Sequence, residues 1–164
     1  MLNLAKESQD GQLYTCVSAL VFSAFMLEAY LNHLGRLRHA NWDDIERRYP
    51  KLKKYLMFAK DAKLQVQMEK RPYISLNRLF AFRDSMAHGK TISEEIDVEI
   101  EVSQSLASSP PRSEWQQFAS AETAEELLND AVALIRELHK ASGYRGDPFG
   151  SGGGGLYAVS TPQT

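Results

Sequence analysis

Arg83, Asp84 and His88 place a guanidinium, a carboxylate and an imidazole within six consecutive residues. An imidazole exchanges a proton near neutral pH, and a guanidinium fork matches two oxygens of a phosphate. That combination suits cleavage of a phosphodiester. The imidazole would withdraw a 2′-hydroxyl proton or protonate a departing 5′-oxygen, and the arginine would neutralise charge growing on the phosphate. On a helix over 76–88, Leu76, Leu79, Phe80, Met86 and Ala87 form an apolar stripe with Arg83 near its centre. A guanidinium at a core-facing position is costly unless it is paired or binds an anion. Asp84 and His88 are four residues apart, on the flank of that stripe, where the carboxylate could hold one ring nitrogen. The competing reading of the same residues is a C-capping histidine beside a structural arginine.

A second polar pair, Glu28 and Asn32, interrupts the apolar half of an upstream helix. A carboxylate there needs a partner, and Arg83 is the obvious one. The pairing could order the core or serve the chemistry, with Asn32 one turn further on as support. Between the two motifs runs a basic stretch that includes Arg47, Arg48, Lys51 and Lys54, interleaved with Tyr49, Tyr55 and Phe58. Together with Lys90 it could bind single-stranded RNA, phosphates on the lysines and bases on the rings. Equally, the rings could be the buried face of helices whose lysines are in water. His33 and His39 have no acidic or thiol neighbours at ligand spacing, and no metal site is expected.

These groups need elements to carry them. Leu13, Val17, Leu20, Ala24, Leu27, Leu31 and Leu34 recur at three and four residues, which predicts one long helix over 13–37, interrupted near its end by Gly35. Asn41 or Asp43 would cap a short helix through Ile45–Arg48, and Pro50 would start another over 51–62. Ser75 would cap the helix that carries Arg83, and Gly89 would end it. From 95 to 103 the period becomes two, with Ile96, Val98, Ile100 and Val102 alternating with Asp97, Glu99 and Glu101. That is a half-buried strand, for which 112–118 is the nearest partner, giving a β-hairpin inserted at about 94–118. Ser120 would cap a last helix over 121–142, closed by Gly143. Seven of the ten glycines fall in 143–164, a flexible tail by composition.

The 164 residues fit one domain, over 1–142, plus that tail. The net charge of −2 conceals an asymmetry: residues 36–90 hold 14 of the 19 Lys and Arg but 6 of the 21 Asp and Glu. A middle of net charge +8 in an otherwise acidic chain suggests a polyanion as partner. The single cysteine, Cys16, reads as a small buried hydrophobe, and its solitude fits a reducing cytosol. The uncharged run 16–27 is too short to span a bilayer and is followed by Glu28, and the first seven residues lack the order of a signal peptide. A cytoplasmic protein without a membrane segment is expected.

The segments Leu27-Glu28-Ala29-Tyr30-Leu31-Asn32 and Phe82-Arg83-Asp84-Ser85-Met86-Ala87-His88-Gly89 together resemble the HEPN superfamily, over roughly residues 12–142. The resemblance implies a mainly α fold, an antiparallel helical bundle with the hairpin as an elaboration, and dimerisation that brings two motifs into one cleft. It implies an endoribonuclease of a toxin–antitoxin or phage-defence system that needs neither metal nor cofactor. RNA is then the substrate, and an antitoxin or defence protein a further partner. Arg83 and His88 match the catalytic pair and Asp84 the polar position after the arginine. Other members only bind nucleotides or scaffold protein partners, which is the alternative. Some HEPN toxins are silenced by nucleotidyl transfer to a tyrosine two residues past the histidine; that position here is Lys90.

Overall fold

The computed structural model describes residues 11–88 and 113–150. Among the described residues every element is an α-helix: α1 (Gln12–Arg38), α2 (Trp42–Arg48), α3 (Lys51–Asp61), α4 (Ile74–Ala87), α5 (Glu114–Phe118) and α6 (Ala121–Ala141). The chain is mainly helical, as its periodicity predicted.

The core forms where α1 meets α4 and α6, which also touch each other. Cys16, Leu20, Ala24, Leu27, Leu31 and Leu34 of α1 are buried, as the three-and-four spacing required, against Leu76 and Leu79 of α4 and Leu127, Ala131, Leu134 and Leu138 of α6. Along the α4–α6 seam, Tyr73 hydrogen-bonds Glu137, Ser75 bonds Asp130 and Arg78 pairs with Glu126. The partners descend along α6 as they ascend α4, so these two helices are antiparallel. The last turns of α1 and α6 lie together, joined by Tyr30 with His139 (3.1 Å) and by Arg38 with the carbonyl of Ser142 (2.8 Å).

Gly35 does not end α1. It is where the face of the Trp42 indole lies on the helix, so close that a Cβ there would fall 2.2 Å from the ring. Trp42 in turn packs on Phe58 of α3, their rings 5.5 Å apart, and so ties α2 and α3 to the end of α1. At 27 residues, α1 is long and apolar enough to cross a membrane, which the shorter run 16–27 did not suggest. Its regular stripe is nonetheless spent on the protein's own helices.

Three expectations are corrected. Ser75 is not a cap: α4 begins at Ile74, and the buried Ser75 hydroxyl donates to Asp130, which Arg71 also holds at 2.8 and 2.9 Å. Residues 113–118, the described part of the expected second strand, are not a strand. Ser113 and Gln116 form a reciprocal capping box that satisfies the free amides of a helix start, and Glu114–Phe118 is helical, with Phe118 stacked on Phe82 of α4 at 5.2 Å. The strand proposed over 95–103 lies outside the described residues. The start of the expected tail is fastened: Gly143 takes the left-handed conformation (φ 85°), Tyr144 lies against Arg38 and His139, and Asp147 pairs with Arg136 at 2.8 Å. Residues 151–164 lie outside the described residues.

Candidate functional site

Arg83 occupies the core-facing stripe of α4 that its spacing indicated, with a side chain 21% exposed between buried Phe80 and half-buried Met86. What makes the position tolerable is a closed ring of alternating charge. Glu28 Oε1 lies 3.3 Å from Arg83 Nε, Arg83 Nη1 donates to Asp84 Oδ1 at 2.9 Å, and Lys51 Nζ donates to the same oxygen at 2.7 Å. Lys51 then returns to within 3.9 Å of Glu28. The aromatic face of Phe25 covers the guanidinium at 5.2 Å. Two cations and two anions from three helices thus neutralise one another.

The two carboxylates in the ring differ in character. Glu28 is the buried one, and its Oε1 is close to Arg83 and Lys51 without hydrogen-bond alignment to either. Burial therefore dominates and raises its carboxyl above the ordinary range, against the opposing pull of Arg83 and Lys51. Asp84 is 45% exposed. Burial raises its carboxyl too, but hydrogen bonds from Lys51 and Arg83 outweigh it and hold the group below its ordinary value.

His88 is the C-cap of α4, exposed, its backbone N–H donating to the Asp84 carbonyl at 3.0 Å. The expected carboxylate–imidazole contact is not made; Asp84 Oδ1 accepts from Lys51 and Arg83 instead. Among the described residues neither the imidazole nor Arg83 Nη2 has a hydrogen-bond partner. Asn32 is half-buried one turn beyond Glu28 and stands outside the ring. The structure therefore brings Glu28, Arg83 and Asp84 together, adds Lys51, and leaves His88 free one turn away.

The basic stretch is dispersed. Arg47 pairs with Asp44 at 2.8 Å, Lys51 belongs to the ring, Lys54 is 8% exposed, and Lys90 lies outside the described residues. Arg48 alone of the five is exposed without a partner among the described residues. Tyr55 and Phe58 are core side chains and cannot stack on bases; Tyr49 stays accessible, with Lys53 4.5 Å over its ring. The charge asymmetry of the sequence is also partly internal, since Arg71 and Arg78 are neutralised by Glu126 and Asp130 of the acidic last helix. His139 bonds Tyr30 through Nδ1 and has a buried Nε2. Among the described residues no group of three or more His, Cys, Asp or Glu could hold a metal ion.

Sequence reasoning missed two features. Lys51 was counted as a phosphate contact, and only the approach of α3 to α1 and α4 makes it the fourth charge of the ring. A cleft of about 440 Å³ between α2, α3 and α4 also went unseen. Its lining includes Glu46, Tyr49, Lys54, Asn77 and Phe80, and the Lys51–Asp84 pair is the wall it shares with the ring. No protein-family model, curated protein or solved structure matches the chain.

Proposed function

We propose that this chain is a metal-independent endoribonuclease of the HEPN type, acting in the cytoplasm as a homodimer within a toxin–antitoxin or phage-defence system. The observation that carries the reading is the contrast on α4 between a positioned arginine and a free imidazole one turn on. Arg83 is held from two sides yet keeps Nη2 unbonded among the described residues, while His88 is exposed and unpaired. In the reaction His88 takes the proton of a ribose 2′-hydroxyl, the oxygen attacks the adjacent phosphorus, and the 5′-oxygen leaves with a proton from an acid. The Arg83 Nη2 group bonds a phosphate oxygen as its charge grows. Products carry a 2′,3′-cyclic phosphate or, after hydrolysis, a 3′-phosphate.

The homodimer part of the reading rests on α1. Tyr14, Phe22 and Phe25 are 76%, 63% and 42% exposed. They follow one another around the helix at spacings that place them on a single face, and Phe25 touches Arg83. A second copy laid on this face would bring the two rings near each other.

The second reading, a HEPN module that binds a nucleotide or a protein without catalysis, is favoured by one fact: Arg83 already has two carboxylate partners. RNA cleavage by purified protein in excess EDTA separates the two. Wild type should cut, and His88→Ala and Arg83→Ala should remain folded and lose on the order of 10²–10⁴ in rate. Unchanged cleavage in His88→Ala removes the enzyme reading.

A further inference from the structure

Lys54 is the one lysine or arginine that is buried among the described residues. It is 8% exposed, and the nearest carboxylate, Glu46 Oε1, is 4.0 Å away, beyond hydrogen-bond distance. Burial lowers its ammonium below the ordinary lysine value, with Glu46 opposing. The Trp42 ring lies 5.7 Å beneath it. A strongly hydrated cation is left in this position only if something else satisfies it. The open side of Lys54 is the cleft of about 440 Å³, within the range of volumes that hold small ligands.

The cleft wall changes sign over a short distance. Glu46 offers two acceptor oxygens, Lys54 offers donors beside them, and Asn77 at the rim offers both. Tyr49 and Phe80 supply flat apolar surface. Among the nucleobases guanine alone presents the complement. Its N1–H and 2-amino group are adjacent donors that a carboxylate accepts as a pair, and O6 and N7 are adjacent acceptors that suit a lysine. Adenine and cytosine turn ring-nitrogen lone pairs toward the carboxylate, and uracil offers it a single donor. We infer that this cleft is a guanine pocket, with Glu46 on the N1–H and 2-amino edge, Lys54 on O6 and N7, and Tyr49 stacking on the ring. A guanine seated there would share the Lys51–Asp84 wall with the ring that holds Arg83. The inference thus deepens the ribonuclease reading and rests on it for the RNA substrate, though a free guanine nucleotide has the same recognition chemistry.

The test is titration of the full chain with GMP, AMP, CMP and UMP by calorimetry, beside mapping of cut sites in RNA of mixed sequence. GMP should bind at least ten-fold more tightly than the other three. IMP, which lacks the 2-amino group, should bind on the order of ten-fold more weakly than GMP. Glu46→Gln, which keeps the side-chain volume at a half-exposed position, should abolish the preference, and Lys54→Gln should weaken GMP further. Equal affinities, equal binding of IMP and GMP, or no binding of GMP overturn the pocket. Cleavage without any guanine preference, in a protein that does not bind GMP, sinks this inference and leaves the ribonuclease. Selective GMP binding without cleavage does the reverse. Guanine beside the cut sites identifies RNA as the source of the base, and selective GMP binding with cuts at random assigns the pocket to a free nucleotide.

Discussion

Replacing Glu28 by glutamine keeps its volume and removes one charge from a ring of four. Breaking an isolated buried ion pair costs about 3–5 kcal/mol, because the surviving charge is left alone. Neither survivor is alone here: Asp84 remains 2.9 Å from Arg83 and 2.7 Å from Lys51. Burial also raises the Glu28 carboxyl, so its ionised form is held less well by the folded chain than by the unfolded one. The two effects oppose, and Glu28→Gln should change the unfolding free energy by no more than about 1 kcal/mol at pH 7. Asp84→Asn differs in sign. Hydrogen bonds from Lys51 and Arg83 hold that carboxyl low, so the fold favours its ionised form. Solvent screens it at 45% exposure, and its loss should cost about 0.5–1 kcal/mol.

The pH dependences of the two variants then diverge. The Asp84 contribution is complete above its ordinary 3.8 and disappears as pH falls through the lower folded value. The unfavourable Glu28 contribution is present above its raised folded value and vanishes as pH falls below the ordinary 4.5. Urea unfolding between about pH 3 and 7 reads both. The Asp84→Asn deficit should shrink toward pH 3, and Glu28→Gln should compare best with wild type at pH 7. A loss above about 3 kcal/mol for Glu28→Gln at pH 7 would refute the shared ring and make Glu28–Arg83 an isolated buried pair.

Gly35→Ala would gain about 1 kcal/mol of helix propensity on an open helix. Here the added Cβ meets the Trp42 ring at 2.2 Å, and displacing a buried indole costs about 3–5 kcal/mol. A net loss of about 2–4 kcal/mol in urea, with shifted tryptophan fluorescence, is expected; a more stable variant would show that Trp42 does not lie on this backbone. Phe22→Asp with Phe25→Asp should convert a dimer to a monomer in sedimentation without unfolding it. A wild type already monomeric at micromolar concentration rejects the α1 interface.

The helices were legible because periodicity records burial directly. Of the seven apolar positions from Leu13 to Leu34, five are buried and Leu13 and Val17 pack half-buried against the core, and Ser120 caps α6. Starts and ends were less legible, because a hydroxyl has several uses. Ser75 has the composition of a cap and is instead a buried donor to Asp130, and no spacing rule distinguishes the two. Ser113 failed in the other direction: 112–118 was expected as a strand only because 95–103 needed a partner, and a two-sided capping box makes 114–118 a helix instead. At the site, the Glu28–Arg83 proximity followed from the cost of a buried carboxylate and a buried guanidinium on two apolar stripes. The place of Lys51 beside them did not, since it arrives from a third helix. Helical spacing shows which residues are neighbours on one element and is silent on what a third element brings to them.

The charges gathered around Arg83 bear on the proposed catalysis. The ring is electrically neutral, so it offers a phosphate no net attraction, and the Arg83 fork is already half used: Nη1 is on Asp84 and Nε faces Glu28. One guanidinium nitrogen, Nη2, makes a single contact with a phosphate oxygen, short of the bidentate grip for which arginine is suited. A lone chain would therefore bind a scissile phosphate weakly. Two chains joined through the exposed face of α1 would double what is available, because Phe25 covers Arg83 and lies on that face. Each ring would then stand beside the seam, with an Nη2 and a His88 from either copy within reach of one phosphodiester. Cleavage should accordingly fall with dimer dissociation. A Tyr14→Asp, Phe22→Asp protein, monomeric for the same reason but with Phe25 still over Arg83, should lose RNA cleavage while its Arg83 and His88 remain intact. Full activity in that monomer would show that one neutral ring and one imidazole suffice, and the shared-site mechanism would have to be given up.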